Sequence, residues 1–417
     1  MKQVEEYLQG YIGQWGFSGV ACIYKNGNLI LHKENGFACV ELGIKNNLET
    51  CFSLASVSKQ FTSFAVMQLV DKGLVRLEGS AAAYLPDCLS VDARITVHQL
   101  LSHTSGLHNF YSFDDDFFGV YNRNTYARQE YFDLFIARDL LFEPGKKYNY
   151  NNANYNLLAW MVESLSGMSF GDYLRENIFS PLGMTHSMLD TGTNIIPGKA
   201  FPYDYDSSGI VRCQYYNEKF GIGAGAVVSN SADLFKWYHC LRERKLLSEA
   251  AYTAFFEVNL NDYCYGLEKH VIHGRDCYAH GGDHLGAMTY LAYYFEEDLF
   301  ICILSNAGFG NQYKMGAAIS DLLFTGETGL PEILPTVELS EEEAGKYEGV
   351  YLDGKIELRR ANGKWAFVRF NGELQIPLRP VGKHRFQRLD ADQYKPYTLK
   401  ECEDGSFAFF GYKKDHP

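Results

Sequence analysis

Between Val57 and Val70 the chain is apolar almost all round, with Phe61, Phe64, Ala65, Val66, Met67, Leu69 and Val70 leaving no solvated stripe on a helix of this length. Such a helix has to lie at the centre of a domain, covered on every side. Gly73 ends it, as the residue type that most readily turns left-handed past a helix C-terminus. Ser56 and Lys59 stand at its start, three residues apart and so on one helical face, where the amine can reach the hydroxyl. A nucleophile and a base are thereby paired beside the backbone N–H groups and positive dipole end of a helix, which favour an oxyanion. The same spacing also arises by chance, as a capping serine and a solvated lysine, so the reading needs support from elsewhere in the chain.

The surroundings of this helix read as layers. An acidic amphipathic helix at residues 1–15 leads into a hairpin over residues 18–33, whose two-residue turn is Asn26-Gly27. Residues 36–54 read as a third strand and a loop, and residues 80–190 as mainly helical with breaks at Pro86, Ser105-Gly106, Pro144-Gly145 and Pro181-Leu182-Gly183. Aromatic residues crowd residues 107–136 (Phe110, Tyr111, Phe113, Phe117, Phe118, Tyr121, Tyr126, Tyr131, Phe132 and Phe135), as core packing or as a lid facing a substrate. Residues 191–219 have no clear period and read as a loop excursion, 221–229 are glycine-rich, and 232–246 return to helix. From Asp276 the period becomes two, which predicts strands at 276–279, 288–295 and 299–304, and a last helix over 312–324 lays Met315, Ile319, Leu322 and Leu323 on the sheet.

At residues 329–335 the composition changes, which sets a linker between domains at 1–330 and 336–417. Beyond it, Asp353-Gly354, Asn362-Gly363, Asn371-Gly372 and Asp404-Gly405 punctuate short alternating runs, the pattern of a small antiparallel barrel or sandwich. The formal net charge of -13, without any basic run, excludes a nucleic-acid partner of the usual kind. Ten cysteines are scattered singly with no Cys-x-x-Cys pair, and read as reduced, mostly buried thiols. The N-terminus lacks the apolar core of a signal peptide, and the longest apolar runs, such as 299–304, are too short to span a bilayer. A cytoplasmic protein with no membrane partner is expected.

Two further segments support Ser56 and Lys59. Residues 143–152 contain Tyr150-x-Asn152 just ahead of a helix; a phenol near two cationic groups can act as a general base, and the Asn152 amide can hold Lys59 and a substrate carbonyl. Ala279-His280-Gly281-Gly282 ends a predicted strand, where glycines let backbone N–H groups approach an acyl oxygen. With these motifs in this order, the chain resembles the penicillin-recognising serine hydrolases, in particular the branch of class C β-lactamases, DD-peptidases, D-aminopeptidases and related esterases. Residues 95–107 (ITVHQLLSHTSGL), Phe142-Glu143-Pro144-Gly145, residues 178–184 (IFSPLGM) and Gly223-Ala224-Gly225 are also similar to that branch, so the likeness runs from about residue 10 to 325.

The resemblance implies an α+β fold, a mixed sheet flanked by the N- and C-terminal helices and packed on a helical lobe, with the active site between them. It implies Ser56 as nucleophile, Lys59 as its activating partner, Tyr150 as base and proton shuttle, Asn152 as a positioning residue, and the backbone N–H groups of Ser56 and Asp283 as the oxyanion hole. The C-terminal segment, with residues 347–351 (YEGVY), looks like the lipocalin-like barrel appended to many members. Two departures matter. His280-Gly281-Gly282 replaces Lys-Thr-Gly or Lys-Ser-Gly, so the permanent cation and the hydroxyl that grip a substrate carboxylate are missing. Asn151 stands where many members carry Ser.

The function implied is a serine hydrolase that cleaves a small ester, amide or short peptide of the esterase or D-amino-acid peptidase type through an acyl-enzyme, with no cofactor. Alternatives are a β-lactamase or DD-carboxypeptidase, an acyltransferase using the same acyl-enzyme, and a non-catalytic sensor or scaffold. A metallohydrolase built on His280, His284, His103 and His108 lacks the spacing for three ligands around one metal, and no Gly-x-Ser-x-Gly elbow supports an α/β-hydrolase. His98 and His103 read as hydrogen-bonded structural residues.

Overall fold

The computed structural model describes residues 1–15, 17–110, 120–206, 209–308, 311–329, 334–351, 356–361, 364–369, 374–388, 397–409 and 412–414. Tyr111, Phe113, Phe117 and Phe118 of the aromatic run, residues 330–333 of the linker, and the turns Asp353-Gly354, Asn362-Gly363 and Asn371-Gly372 lie outside them.

Helix α1 (Lys2–Trp15) is followed by the expected hairpin, β1 (Gly19–Lys25) and β2 (Asn28–Asn35). A single 3-10 turn, Ala55–Ser58, leads into the buried helix α2 (Lys59–Asp71); α3 (Asn152–Ser166) and α4 (Ser231–Arg242) pack around it. The chain then forms β3 (Glu268–Ile272), β4 (Arg275–His284), β5 (Ala287–Tyr294) and β6 (Leu299–Ser305), and closes the layer with α5 (Gln312–Phe324). The six strands make one sheet in the order β3-β4-β5-β6-β1-β2. Where the resemblance implies a mixed sheet, every pairing here is antiparallel, because hairpins join its neighbours and β1 meets β6 head to tail, Gly19 opposite Ser305.

Alternation along the strands explains why both faces are apolar. On β1, Val20, Cys22 and Tyr24 face the cluster containing α2, while Ala21 and Ile23 face the cluster containing Val4, Leu8 and Tyr11 of α1 and Met315 and Ile319 of α5. A sheet covered by helices on both sides fixes its register, since a one-residue slip would exchange the two sets. Helix α2 is also tied by polar bonds: the Gln60 carbonyl oxygen accepts from Trp237 Nε1 at 3.0 Å and from the Tyr293 hydroxyl at 2.8 Å. Those bonds satisfy a buried amide oxygen and fix the rotation of α2 against α4 and β5.

Three expectations are corrected. The described part of residues 80–190 is less helical than its composition suggests: apart from α3 its regular helices are short (Val97–Leu101, Arg128–Phe135, Phe170–Leu174), because Pro and Gly interrupt them and side chains cap the loops. Residues 191–219 are not only loop, since strands Tyr203–Asp206 and Gly209–Arg212 pair as a hairpin. The C-terminal segment forms a six-stranded antiparallel sheet and a three-stranded one around Trp365, Phe367, Leu378, Phe386, Phe407 and Phe409. No ladder closes these into the expected barrel among the described residues. The pairing breaks at Leu399, whose N–H goes to the His384 carbonyl, and a single bridge, Tyr351 to Lys414, links the first strand to the end of the last.

Candidate active site

Ser56 is presented by a turn under strain. Ala55, one residue before Ser56, has φ +46° and is buried, a conformation a non-glycine residue keeps only where its surroundings dictate it. Leu54 on its other side is tied twice, its N–H to the Val227 carbonyl at 2.8 Å and its carbonyl to the Thr289 hydroxyl at 2.8 Å. Lys59 Nζ donates to Ser56 Oγ at 3.0 Å and to the Ala224 carbonyl at 2.8 Å. Gly223 brings that carbonyl into place: a Cβ there would lie 2.0 Å from the Tyr155 carbonyl oxygen, so the glycine-rich stretch has a steric reason.

Lys59 is completely buried, and loss of hydration holds its pKa well below the ordinary lysine value. The amine lies 4.8 Å from the ring centre of Tyr150 and 5.5 Å from that of Tyr155, and no carboxylate among the described residues pairs with it. A neutral amine can donate one N–H to Ala224 and still accept the Ser56 proton, which an ion-paired ammonium could not.

The second wall is the start of α3. Asn151 is its N-cap, accepting from the Ala153 N–H at 2.8 Å and donating to the Leu107 carbonyl at 2.7 Å, so its substitution for Ser preserves a capping residue. The Asn151 N–H donates to His103 Nδ1 at 3.0 Å, which fixes the His103 proton on Nε2; burial keeps this imidazole neutral. The His103 ring packs 4.4 Å from that of Tyr150, a support that spacing along the chain did not reveal. The Tyr150 hydroxyl is buried and within influence of Ser56, yet has no hydrogen-bond partner among the described residues. Burial raises its pKa well above the ordinary phenol value. The expectation of a phenol ionised by two cations is therefore corrected: one neighbour is a lysine shifted toward neutrality, the other a neutral histidine. Asn152 opens α3 but is not among the hydrogen-bond partners of Lys59, which are Ser56 and Ala224.

The third wall is the end of β4. Strand β3 stops pairing at Glu268 opposite Ala279, so from His280 onward β4 has only β5 as a strand neighbour among the described residues, and Gly282 lies against Leu54 and Ala55 at the start of the Ala55–Ser58 turn. Burial lowers the His280 pKa to about 4, so the ring is neutral at pH 7. Its Nδ1–H donates to the Gly281 carbonyl at 2.6 Å and Nε2 accepts from the Tyr263 hydroxyl at 3.4 Å. Gly282 is obligatory, since a Cβ there would lie 2.2 Å from the Leu54 carbonyl oxygen. Asp283 is exposed at the mouth. His284 instead accepts from the Ser53 hydroxyl at 2.9 Å and stacks on Tyr216. The described residues contain no group of three or more His, Cys, Asp or Glu that could hold a metal. His98 bonds the Tyr265 hydroxyl at 2.7 Å, a structural role like that of His103.

Ser56, Lys59, Tyr150 and His280-Gly281-Gly282-Asp283 thus come together although they are drawn from distant parts of the chain, between a helical lobe and a sheet edge. A family model described as Beta-lactamase matches residues 4–325. The chain belongs to this family. Among relatives of this Beta-lactamase family protein, Penicillin-binding protein 4* of Bacillus subtilis (strain 168) is 28% identical over 94% of this chain and 93% of its own length. A D-aminopeptidase of Gluconobacter oxydans (strain 621H) is 25% identical over 70% of this chain and 56% of its own. The crystal structure of a penicillin binding protein from Bacillus halodurans superposes with a TM-score of 0.67 at 26% identity, covering 76% of this chain and 99% of that one.

Proposed function

We propose that this protein is a serine hydrolase that cleaves esters or amides through an acyl-enzyme on Ser56. The observation that carries the reading is the buried amine of Lys59, 3.0 Å from Ser56 Oγ and anchored by the Ala224 carbonyl. Lys59 as the neutral amine takes the Ser56 proton while the hydroxyl attacks the substrate carbonyl. The backbone N–H groups of Ser56 and Asp283 hold the oxyanion. Tyr150, protonated and facing Ser56, passes its proton to the leaving group and takes back the Ser56 proton from Lys59, so that both return to their starting states, and Asn152 meets the substrate. Water then releases the acyl group.

The neutral His280 argues for substrates without a carboxylate at the third wall rather than for penicillins or peptidyl-D-alanine, and a D-aminopeptidase among the relatives is consistent with an amide substrate. No helix among the described residues is long and apolar enough to cross a membrane. Ten free thiols, seven of them buried, suit a reducing compartment, which we take to be the cytoplasm. We assign residues 336–417 to a separate lipocalin-like domain on the ground that their aromatic cluster involves no residue before Leu339.

The test is mass spectrometry of the intact protein after exposure to a fluorophosphonate or a short-chain activated ester. One adduct is expected on the wild type and none on Ser56→Ala. An adduct that persists in Ser56→Ala would remove the reading. A panel of p-nitrophenyl esters, D-amino-acid amides, D-Ala-D-Ala peptides and nitrocefin then ranks substrates, with nitrocefin turnover expected to be the slowest.

A further inference from the structure

The side chain missing at Gly281 has a substitute. A Cβ at Gly281 would lie 1.9 Å from the hydroxyl oxygen of Tyr313 and 2.0 Å from its Cζ, so the phenol from the first turn of α5 occupies the place that a side chain at position 281 would need. Tyr290, the cross-strand partner of Gly281, packs its ring 5.4 Å from that of Tyr313. Tyr290 in turn rests where Gly316 has no side chain, since a Cβ there would come within 2.3 Å of the ring. Two glycines and two tyrosines therefore interlock between β4, β5 and α5, and the lock sets the direction of the Tyr313 hydroxyl.

That hydroxyl has no hydrogen-bond partner among the described residues, and Tyr313 is 46% exposed. It lies beside the stretch of β4 that lacks a second strand neighbour, close enough to Tyr150 to affect its ionisation. The charged groups around it are the carboxylates of Asp283 and Glu268, which with burial of the hydroxyl end keep the phenol protonated. Glu268 itself pairs with His270, and position 280, where the family motif carries lysine, holds a neutral imidazole. A neutral O–H with two carboxylates nearby suits an uncharged acceptor and repels an anion.

We propose that Tyr313 is a specificity-determining residue whose hydroxyl binds an uncharged hydrogen-bonding group of the substrate, such as an amide carbonyl, at the unpaired edge of β4, while Asp283 and Glu268 turn carboxylates away. The proposal rests on acylation of Ser56. It revises the reading of the third segment: the motif has lost its cation, but a hydroxyl has been supplied from another element.

Two activated esters that differ only in carrying a carboxamide or a carboxylate on the acyl chain test it, with fluorophosphonate labelling of Ser56 run in parallel. The wild type should prefer the carboxamide ester. Tyr313→Phe, which keeps the ring and so the interlock, should raise KM for that ester about five- to tenfold, the worth of one neutral hydrogen bond, with kcat within about threefold. Gly281→Ser should impair the wild type, where the new side chain meets Tyr313, and should restore the carboxamide preference in the Tyr313→Ala background, where space is open. Unchanged KM values in Tyr313→Phe, with Ser56 still labelled and the melting midpoint preserved, would overturn the role of Tyr313 and leave the acylation reading standing. Absence of labelling at Ser56 in the wild type would overturn both.

Discussion

The two walls that meet at Ser56 are built in opposite ways. On one side the Ser56–Lys59 wall is interior: α2 is buried from Lys59 through Leu69, its amine is stripped of water, and its partners are a backbone carbonyl and aromatic rings. On the other side the His280–Asp283 wall is an edge, with one strand neighbour, two glycines and a hydroxyl borrowed from α5. Burial shifts Lys59 toward its neutral form, the form that the proposed acylation uses as a base. The second wall is buried from His280 to Gly282 and exposed at Asp283, and its unpaired edge leaves a few polar groups to decide what approaches. The difference teaches that the reactivity of this site belongs to the core and its specificity to the rim.

The largest effects should come from the interior wall. Lys59→Met keeps the volume and removes the base, and should lower the acylation rate by at least about three orders of magnitude. Tyr150→Phe should cost about two to four orders. In the wild type, acylation should increase with pH as Lys59 loses its proton, with an inflection well below the ordinary lysine value because desolvation holds its pKa down. Stopped-flow release of p-nitrophenol measures all three. A Lys59→Met enzyme with wild-type acylation would reduce the contrast between the walls to one of mere burial.

This contrast also marks what could be read before the structure. Tyr150 was singled out by the order of the motifs and the resemblance they carry, whereas the proximity of Ser56 and Lys59 was legible because a three-residue spacing at a helix start carries its geometry locally. The hairpin turn at Asn26-Gly27 and helix α5 were legible for the same reason. The Ala224 carbonyl, the His103 support and the Tyr313 hydroxyl were not, since each reaches the site from an element remote in sequence and no periodicity reports such a meeting. The ionisation of Tyr150 was misread because it is decided by burial of the phenol itself, which residue type does not report. The C-terminal strands were legible as strands, but closure depends on pairing at Leu399 that turn signals do not encode.

An intermediate effect is expected where the walls touch. Gly282→Val would drive a side chain into the Leu54 carbonyl and the Thr289 hydroxyl, 2.2 and 2.4 Å from its Cβ, and so into the strained turn that carries Ser56. Overpacking of this kind costs about 1–3 kcal/mol, and the melting midpoint should fall accordingly. Fluorophosphonate labelling should fall further than stability does, because the displaced atoms adjoin the nucleophile. Equal labelling of folded Gly282→Val and wild type would show that the edge tolerates displacement and that the turn is positioned by the interior alone.

The smallest catalytic effect should fall on His280, and it separates the two walls most cleanly. Its ring is neutral at pH 7, its Nδ1–H is engaged by the Gly281 carbonyl, and its pKa is about 4. Asn places an amide donor near the position of Nδ1, so His280→Asn should keep kcat within about threefold, whereas loss of a general acid or base would cost a hundredfold or more. Stability should respond instead. The unfolded chain binds a proton at this histidine near pH 6.5, the folded chain only near pH 4, so its contribution is complete above about 6.5 and is lost as pH falls from there toward 4. The shift corresponds to about 3 kcal/mol at most. His284, also lowered to about 4, has the same sign. Denaturation midpoints measured from pH 7 to 4 should therefore fall for the wild type and fall less steeply for His280→Asn. A variant with a hundredfold lower kcat and an unaltered pH slope would move His280 out of the passive edge and into the chemistry.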